Sequence, residues 1–211
     1  MSDQPSSALR WAAWVARLRA LADTGLEYCT SEYDRQRYEE LREMALAMAA
    51  ELANSPLDRV RGLLQVEPGY VTPKVDVRAA VFEGDQVLLV REASDGLWTL
   101  PGGWADVGES AREAAEREAR EESGYEVRAT KLAAVYDRAR HGHPPQAIYA
   151  YKLFFLCERT GGSPRASIET LDVAFHPVQA LPALSLPRVT AAQIQRLSEH
   201  QRHPDWPTDF D

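Results

Sequence analysis

The stretch that decides the reading runs from Gly102 to Tyr125, GGWADVGESAREAAEREAREESGY. Ser110 and Glu113 have the spacing of a reciprocal N-terminal cap, and Gly124 suits a left-handed C-terminal stop. The spacing therefore predicts a helix over about 111–123 with both ends locally signalled. At about 100° per residue, Ala111, Ala114, Ala115, Glu118, Glu121 and Glu122 share one half of that helix. Arg112, Glu116 and Arg120 lie opposite, where Glu116 and Arg120 form an i,i+4 solvated pair. The small-residue stripe should face a sheet, yet its C-terminal half carries three acids. Like charges so placed raise one another's pKa unless a cation intervenes. A hard divalent ion accepts carboxylate, carbonyl, water and phosphate oxygens, so this face is a candidate metal site. Arg117 is expected to clamp the acids.

Outward from this helix, the chain of 211 residues fits one domain plus an accessory piece. About the first 66 residues read as helices, with Trp11, Trp14, Val15, Leu18, Leu21 and Ala22 at helical spacing. A second helix is expected over about 34–53, and a short third turn follows Ser55-Pro56. A unit this small buries little surface alone, so its stripe should dock on the rest of the chain, cover the active-site mouth, or form a homodimer. Glu67-Pro68-Gly69 and Thr72-Pro73 mark a linker, which divides the chain into a helical domain, 1–66, and a second domain, 67–211. After it the period changes from 3.6 to 2. Strands are expected near 75–82, 86–90, 98–100, 125–136, 147–157 and 173–175, with a last helix near 190–200.

Lys and Arg number 24 and Asp and Glu 32, a net charge of -8, which argues against long nucleic acid as a partner. No run approaches about 18 apolar residues, so no membrane span is expected. Arg10, Arg17 and Arg19 interrupt any signal-peptide core. Cys29 and Cys157 are far apart and in no ligand spacing, and the cytoplasm is the expected compartment.

The 102–125 stretch resembles the signature of the Nudix hydrolases. Gly103, Glu109, Arg117-Glu118, Glu121-Glu122 and Gly124 stand at its seven fixed positions, while Ala119 and Tyr125 replace bulkier aliphatic residues. At average usage of about 6–7% each, chance gives on the order of 10⁻⁸ per window, so the match identifies the chain as a family member. The resemblance implies an α+β fold, an α/β/α sandwich with a mixed sheet, here preceded by a small helical domain. The wider pattern (PKVDVRAAVF, LLVRE, LWTLPGGWADVGES, HGHPP, YKLFFLCE) resembles a subgroup that cleaves nucleoside diphosphates linked to a second group, ADP-ribose and CDP-choline among them.

The resemblance further implies a Mg²⁺-dependent pyrophosphohydrolase, with Mn²⁺ as a substitute. It assigns Glu118, Glu121, Glu122 and the Gly102 carbonyl as metal ligands, with Glu121 alternatively orienting water. Glu109 joins the catalytic set. A later loop acid, Glu169 or Asp172, is a candidate general base. Arg78, Trp104, Asp137 and His143 are candidate substrate contacts, and His141 and His143 lack a third ligand for zinc. Two other readings compete: hydrolysis of nucleoside triphosphates or RNA ends, and a retired Nudix fold acting as a metabolite sensor.

Overall fold

The computed structural model describes residues 7–64, 70–146 and 148–211. The expected linker at Glu67-Pro68-Gly69 lies outside them. The chain forms two compact units: the described parts of Met1–Pro73 with Pro144–Tyr149, and Lys74–His143 with Ala150–Asp211. That Pro144–Tyr149 leaves the second unit is not readable from local pattern, because it depends on a contact distant in sequence.

The first unit contains α1 (Ser7–Tyr28), α2 (Glu32–Ala53) and α3 (Leu57–Leu63). Its core joins Val15, Leu46, Ala49, Ala50, Val60 and Leu64, with Ile148 packed against them. At the close crossing of α1 and α2, a Cβ at Gly25 would meet the Tyr38 ring far inside contact distance. Asn54, left-handed at φ 45°, ends α2. Pro56 is the residue before α3, one position earlier than the first-turn place expected for it.

The second unit is built on β1 (Lys74–Glu83), β2 (Gln86–Glu92), β3 (Trp98–Thr99), β4 (Tyr125–Asp137), β5 (Ala150–Gly162), β6 (Thr170–Pro177) and β7 (Asp209–Phe210). The sheet order is β3-β2-β1-β5-β4-β7, and β6 pairs with β2. β1 runs parallel to β5 and β7 parallel to β4; the other pairings are antiparallel. The sheet is therefore mixed. The helices α4 (Ala111–Ser123) and α5 (Ala191–Arg202) cover its two faces.

Strand alternation explains the layers. Val77, Ala79 and Val81 of β1 join Ala114, Ala115 and Ala119 of α4 in one core. Ala80, Phe154 and Leu89 join Ile194 and Leu197 of α5 in the other. The three alanines are fully buried, so α4 lies close to the sheet and a larger side chain there would overpack it. β7 had no pattern to announce it. It is held by Asp209, which accepts from Arg196 Nε at 2.5 Å and Nη2 at 2.9 Å.

Candidate active site

The ends of α4 are set locally, as its sequence predicts. Glu113 N donates to Ser110 Oγ at 3.2 Å, and Ser110 N donates back to Glu113 Oε2 at 2.8 Å. Gly124 closes the helix at φ 75°, where a Cβ would meet Ser163 O at 2.5 Å. Upstream, residues 101–105 run beside β1: Val77 N donates to Gly103 O, Ala79 N to Pro101 O, and Ala105 N to Val75 O. Gly102 is obligatory in that strip. Its φ is 143°, and a Cβ would fall 2.0 Å from Val77 O.

This turn and α4 bring two carboxylates inward. Glu122 is 5% exposed and accepts the Gly102 N–H at 2.8 Å. Burial pushes its pKa up to about 8, against the opposing effects of Arg78 and the Gly102 bond. Glu118 is also largely covered, and burial raises its pKa although Arg117 opposes this. A Cβ on Gly103 would sit 3.0 Å from Glu118 Oε1, so the glycine leaves the backbone open against that carboxylate.

Arg117 links the remaining acids. Its Nε and Nη2 donate to Glu109 at 3.0 and 2.7 Å, and its Nη1 donates to Glu118 at 3.0 Å and Glu121 at 3.1 Å. Hydrogen bonding by Arg117, then by the Asp106 amide, holds the Glu109 pKa down at about 2. The expectation of three inward acids is corrected for Glu121, whose side chain is 54% exposed. It lies on the flank of the helix, where the guanidinium draws it toward solvent. Among the described residues, no three His, Cys, Asp or Glu side chains form a group that could hold a metal ion. The donor chemistry nevertheless fits a hard divalent cation: a buried and a largely covered carboxylate, both with raised pKa values, backed by a Cβ-free turn and flanked by Glu109 and Glu121.

The loop before β6 abuts this site. Thr170 Oγ1 donates to Glu122 O at 2.9 Å, and Ala93 N donates to Glu169 O at 2.8 Å. Glu169 is exposed; burial raises the pKa of Glu92, and the charge of Glu169 adds to that. Asp172 is exposed on β6.

Of the expected substrate contacts, Arg78 lies near enough to bear on the charges of Glu122 and Glu118, Trp104 follows the signature turn directly, and His143 and Asp137 make other bonds. Arg78 is 4% exposed and its fork is fully engaged: Nε and Nη2 donate to Asp76 at 2.9 and 2.8 Å, and Nη1 donates to Leu100 O at 3.1 Å. His143 is buried, with Nδ1 against Leu186 O at 2.7 Å and Nε2 against Gln193 Nε2 at 3.0 Å. Asp137 caps the Arg138–Arg140 turn, its Oδ1 accepting from Ala139 N at 2.9 Å. Trp104 pairs with Asp76 in an isolated bridge, and its side chain is exposed.

Sequence reasoning missed Asp76, Lys152 and Glu92. Lys152 Nζ donates to Asp76 Oδ1 at 2.7 Å, and Arg188 Nε lies 2.9 Å from Glu92 Oε1. Burial and the Arg78 charge bring the Lys152 pKa down to about 7, with Asp76 opposing. Asp76 and Arg78 stand two apart on one strand, a signal available from period 2. Lys152 becomes visible only through the register that places it opposite Asp76.

Comparison with known proteins agrees with this fold. The family model for the NUDIX domain matches residues 72–197, and the one described as "UDP-X-like, N-terminal oligomerisation domain" matches residues 9–64. The chain belongs to the Nudix hydrolase family. A Bacillus subtilis (strain 168) protein named "Putative ADP-ribose pyrophosphatase YjhB" is 44% identical over 202 residues, covering 96% of this chain and 97% of the relative. A crystal structure of a UDP-X diphosphatase is 30% identical and covers 98% of this chain and 100% of its own, with a TM-score of 0.63. The crystal structure of an ADP-ribose pyrophosphatase from Streptococcus suis 89-1591 is 40% identical. It covers 66% of this chain and 100% of its own, with a TM-score of 0.62.

Proposed function

We propose that this chain hydrolyses the diphosphate of nucleoside diphosphate-X compounds, ADP-ribose or CDP-choline in class, to a nucleoside monophosphate and X-phosphate. The observation that carries the reading is the buried Glu122 and the largely covered Glu118, set against the Gly102–Gly103 turn. The two relatives named as ADP-ribose pyrophosphatases, and the UDP-X diphosphatase structure, support the substrate class.

Glu118, Glu122 and the Gly102 carbonyl are the proposed ligands of Mg²⁺, for which Mn²⁺ can substitute, with Glu121 completing the set. Such an ion, when bound, neutralises non-bridging phosphate oxygens and lowers the pKa of a water. Arg117 holds Glu109 and Glu121 at the rim of the site. Glu169, next in sequence to the Thr170 that donates to the Glu122 carbonyl, is the proposed general base for the attacking water. Trp104 is exposed next to the signature turn and offers an aromatic face to a base; Arg78, His143 and Asp137 serve the frame instead.

The helical unit, 1–66 by our division, is proposed to join two copies into a homodimer. Trp11, Trp14, Leu21 and Tyr28 leave an exposed apolar stripe on α1, and the oligomerisation description of the matching family supports this. No helix among the described residues is long and apolar enough to cross a membrane. We place the enzyme in the cytoplasm on its two isolated cysteines.

A substrate panel tests the reading. Protein with Mg²⁺ or Mn²⁺ is offered ADP-ribose, CDP-choline, UDP-linked sugars, nucleoside triphosphates and a short 5′-triphosphate RNA, and the products are identified. Release of AMP with ribose 5-phosphate, or of CMP with phosphocholine, supports it. Preferred attack on triphosphates or RNA ends, or tight binding without turnover, contradicts it.

A further inference from the structure

Behind the signature turn lies a buried group of charges with no part in the proposed chemistry. Lys152 on β5 donates to Asp76 on β1 at 2.7 Å, and Asp76 accepts both arms of the Arg78 fork. The third arm of Arg78 reaches Leu100 O at 3.1 Å, at the entry to the turn. Two residues later, the Gly102 N–H donates to Glu122 Oε2 at 2.8 Å. Asp76, Arg78 and Lys152 are 6%, 4% and 1% exposed. Two cations on one carboxylate in such burial are costly compared with apolar residues of the same size. An arginine suits this place by geometry: its planar fork meets both Asp76 oxygens in parallel and reaches the Leu100 carbonyl from a third nitrogen, whereas the three donors of an ammonium diverge from one atom.

We propose that Arg78, braced by Asp76 and Lys152, is a positioning residue that sets the Gly102 amide and thereby the Glu122 carboxylate. It rests on the reading of Glu122 as a ligand for a divalent ion. Arg78 acts through the Leu100 carbonyl and the Gly102 backbone and makes no contact with substrate. The relay crosses from β5 through β1 to α4, so a change on the face packed against α5 is felt on the face packed against α4.

The test compares Arg78→Lys and Lys152→Met with the unaltered protein in three ways: Mn²⁺ binding by calorimetry, steady-state kinetics at saturating metal, and hydrogen exchange of the Gly102 amide in metal-free protein. Arg78→Lys keeps the charge and loses the fork. Lys152→Met leaves a charge-balanced Asp76–Arg78 pair and should fold even if Arg78→Lys does not. For Arg78→Lys we expect Mn²⁺ affinity lower by about tenfold, kcat lower by about 10- to 100-fold, KM within about twofold, and faster Gly102 exchange. Lys152→Met should move the same three readouts in the same direction, by less. A raised KM with unchanged Mn²⁺ affinity overturns the proposal, because it puts Arg78 on the substrate. Variants that lose only thermal stability overturn it too. If the unaltered protein neither binds Mn²⁺ nor turns over substrate, the proposed function itself falls and takes this inference with it; normal behaviour of the parent beside unaffected variants sinks the inference alone.

Discussion

The amide of Gly102 and the carboxylate of Glu122 are joined by a 2.8 Å hydrogen bond across 20 positions of sequence. The bond ties the turn after β3 to the last turn of α4, and it is made by a residue that must be glycine. It keeps a buried acid in place where burial alone would favour its protonation.

Replacing Glu122 by Gln keeps an acceptor for that amide and removes the charge. We expect at least about a 100-fold loss of kcat, in line with removal of a group that holds the catalytic ion. Thermal unfolding of the metal-free variant should occur at or above the parental temperature, because folding the parent must take up a proton on Glu122 or bury its charge, and the amide does neither. Melting curves with and without Mg²⁺, read beside the kinetics, check both halves, and the stabilisation by metal should vanish in the variant.

Gly102→Ala should destabilise the second unit by more than about 3 kcal/mol, since backbone must move to admit the methyl group. Gly108, also at positive φ but with nothing within 4 Å of an added Cβ, is the control and should cost only about 1 kcal/mol as alanine. Urea unfolding of the two variants separates the clash from the conformational cost.

Arg117 holds Glu109, Glu118 and Glu121 together in a partly exposed network. Arg117→Ala should lower metal-free stability by about 1 kcal/mol, the solvent screening most of the ion pairing. The released acids then repel one another, so added Mg²⁺ should raise the melting temperature of this variant more than that of the parent. Equal shifts would show that the guanidinium does not restrain the acids.

His143 supplies a pH dependence remote from the acids. Gln193 Oε1 accepts from Thr190 N at 3.0 Å, which fixes the amide and turns its NH₂ toward His143 Nε2. That nitrogen must accept, so the ring is neutral with its proton on Nδ1, donated to Leu186 O. Burial brings the pKa from 6.5 down to about 4. The unfolded chain therefore binds this proton first as pH falls, and the His143 contribution to stability drops between about pH 6.5 and 4, then levels. The full effect is on the order of 2–3 kcal/mol. Between pH 7 and 4.5 the urea midpoint of the parent should move further toward lower stability than that of His143→Gln, the other titrating groups being common to both; equal movement would show that His143 carries no such linkage.

Much of this fold was legible in sequence because its signals are local. The cap at Ser110, the stop at Gly124 and the alanine stripe of α4 each act within a few residues. The signature glutamates could be read from spacing for the same reason. Their orientation could not, since Glu121 turns outward through a competition between Arg117 and solvent that helical angle does not record. Arg78 and His143 read as ligand contacts because polar residues in apolar strands and loops invite that reading. Their partners, Asp76 with Lys152 and Leu186 with Gln193, are fixed by strand register and by the packing of α5. β7 and the Pro144–Tyr149 segment were hidden in the same way, each held by residues far away in the chain.

The most direct measurement is product formation from ADP-ribose in Mg²⁺ by the unaltered chain and by the double variant Glu118→Gln, Glu122→Gln, followed by phosphorus NMR. The account predicts AMP and ribose 5-phosphate from the former and no detectable cleavage by the latter at equal folded concentration. Cleavage by the double variant at the parental rate would contradict it.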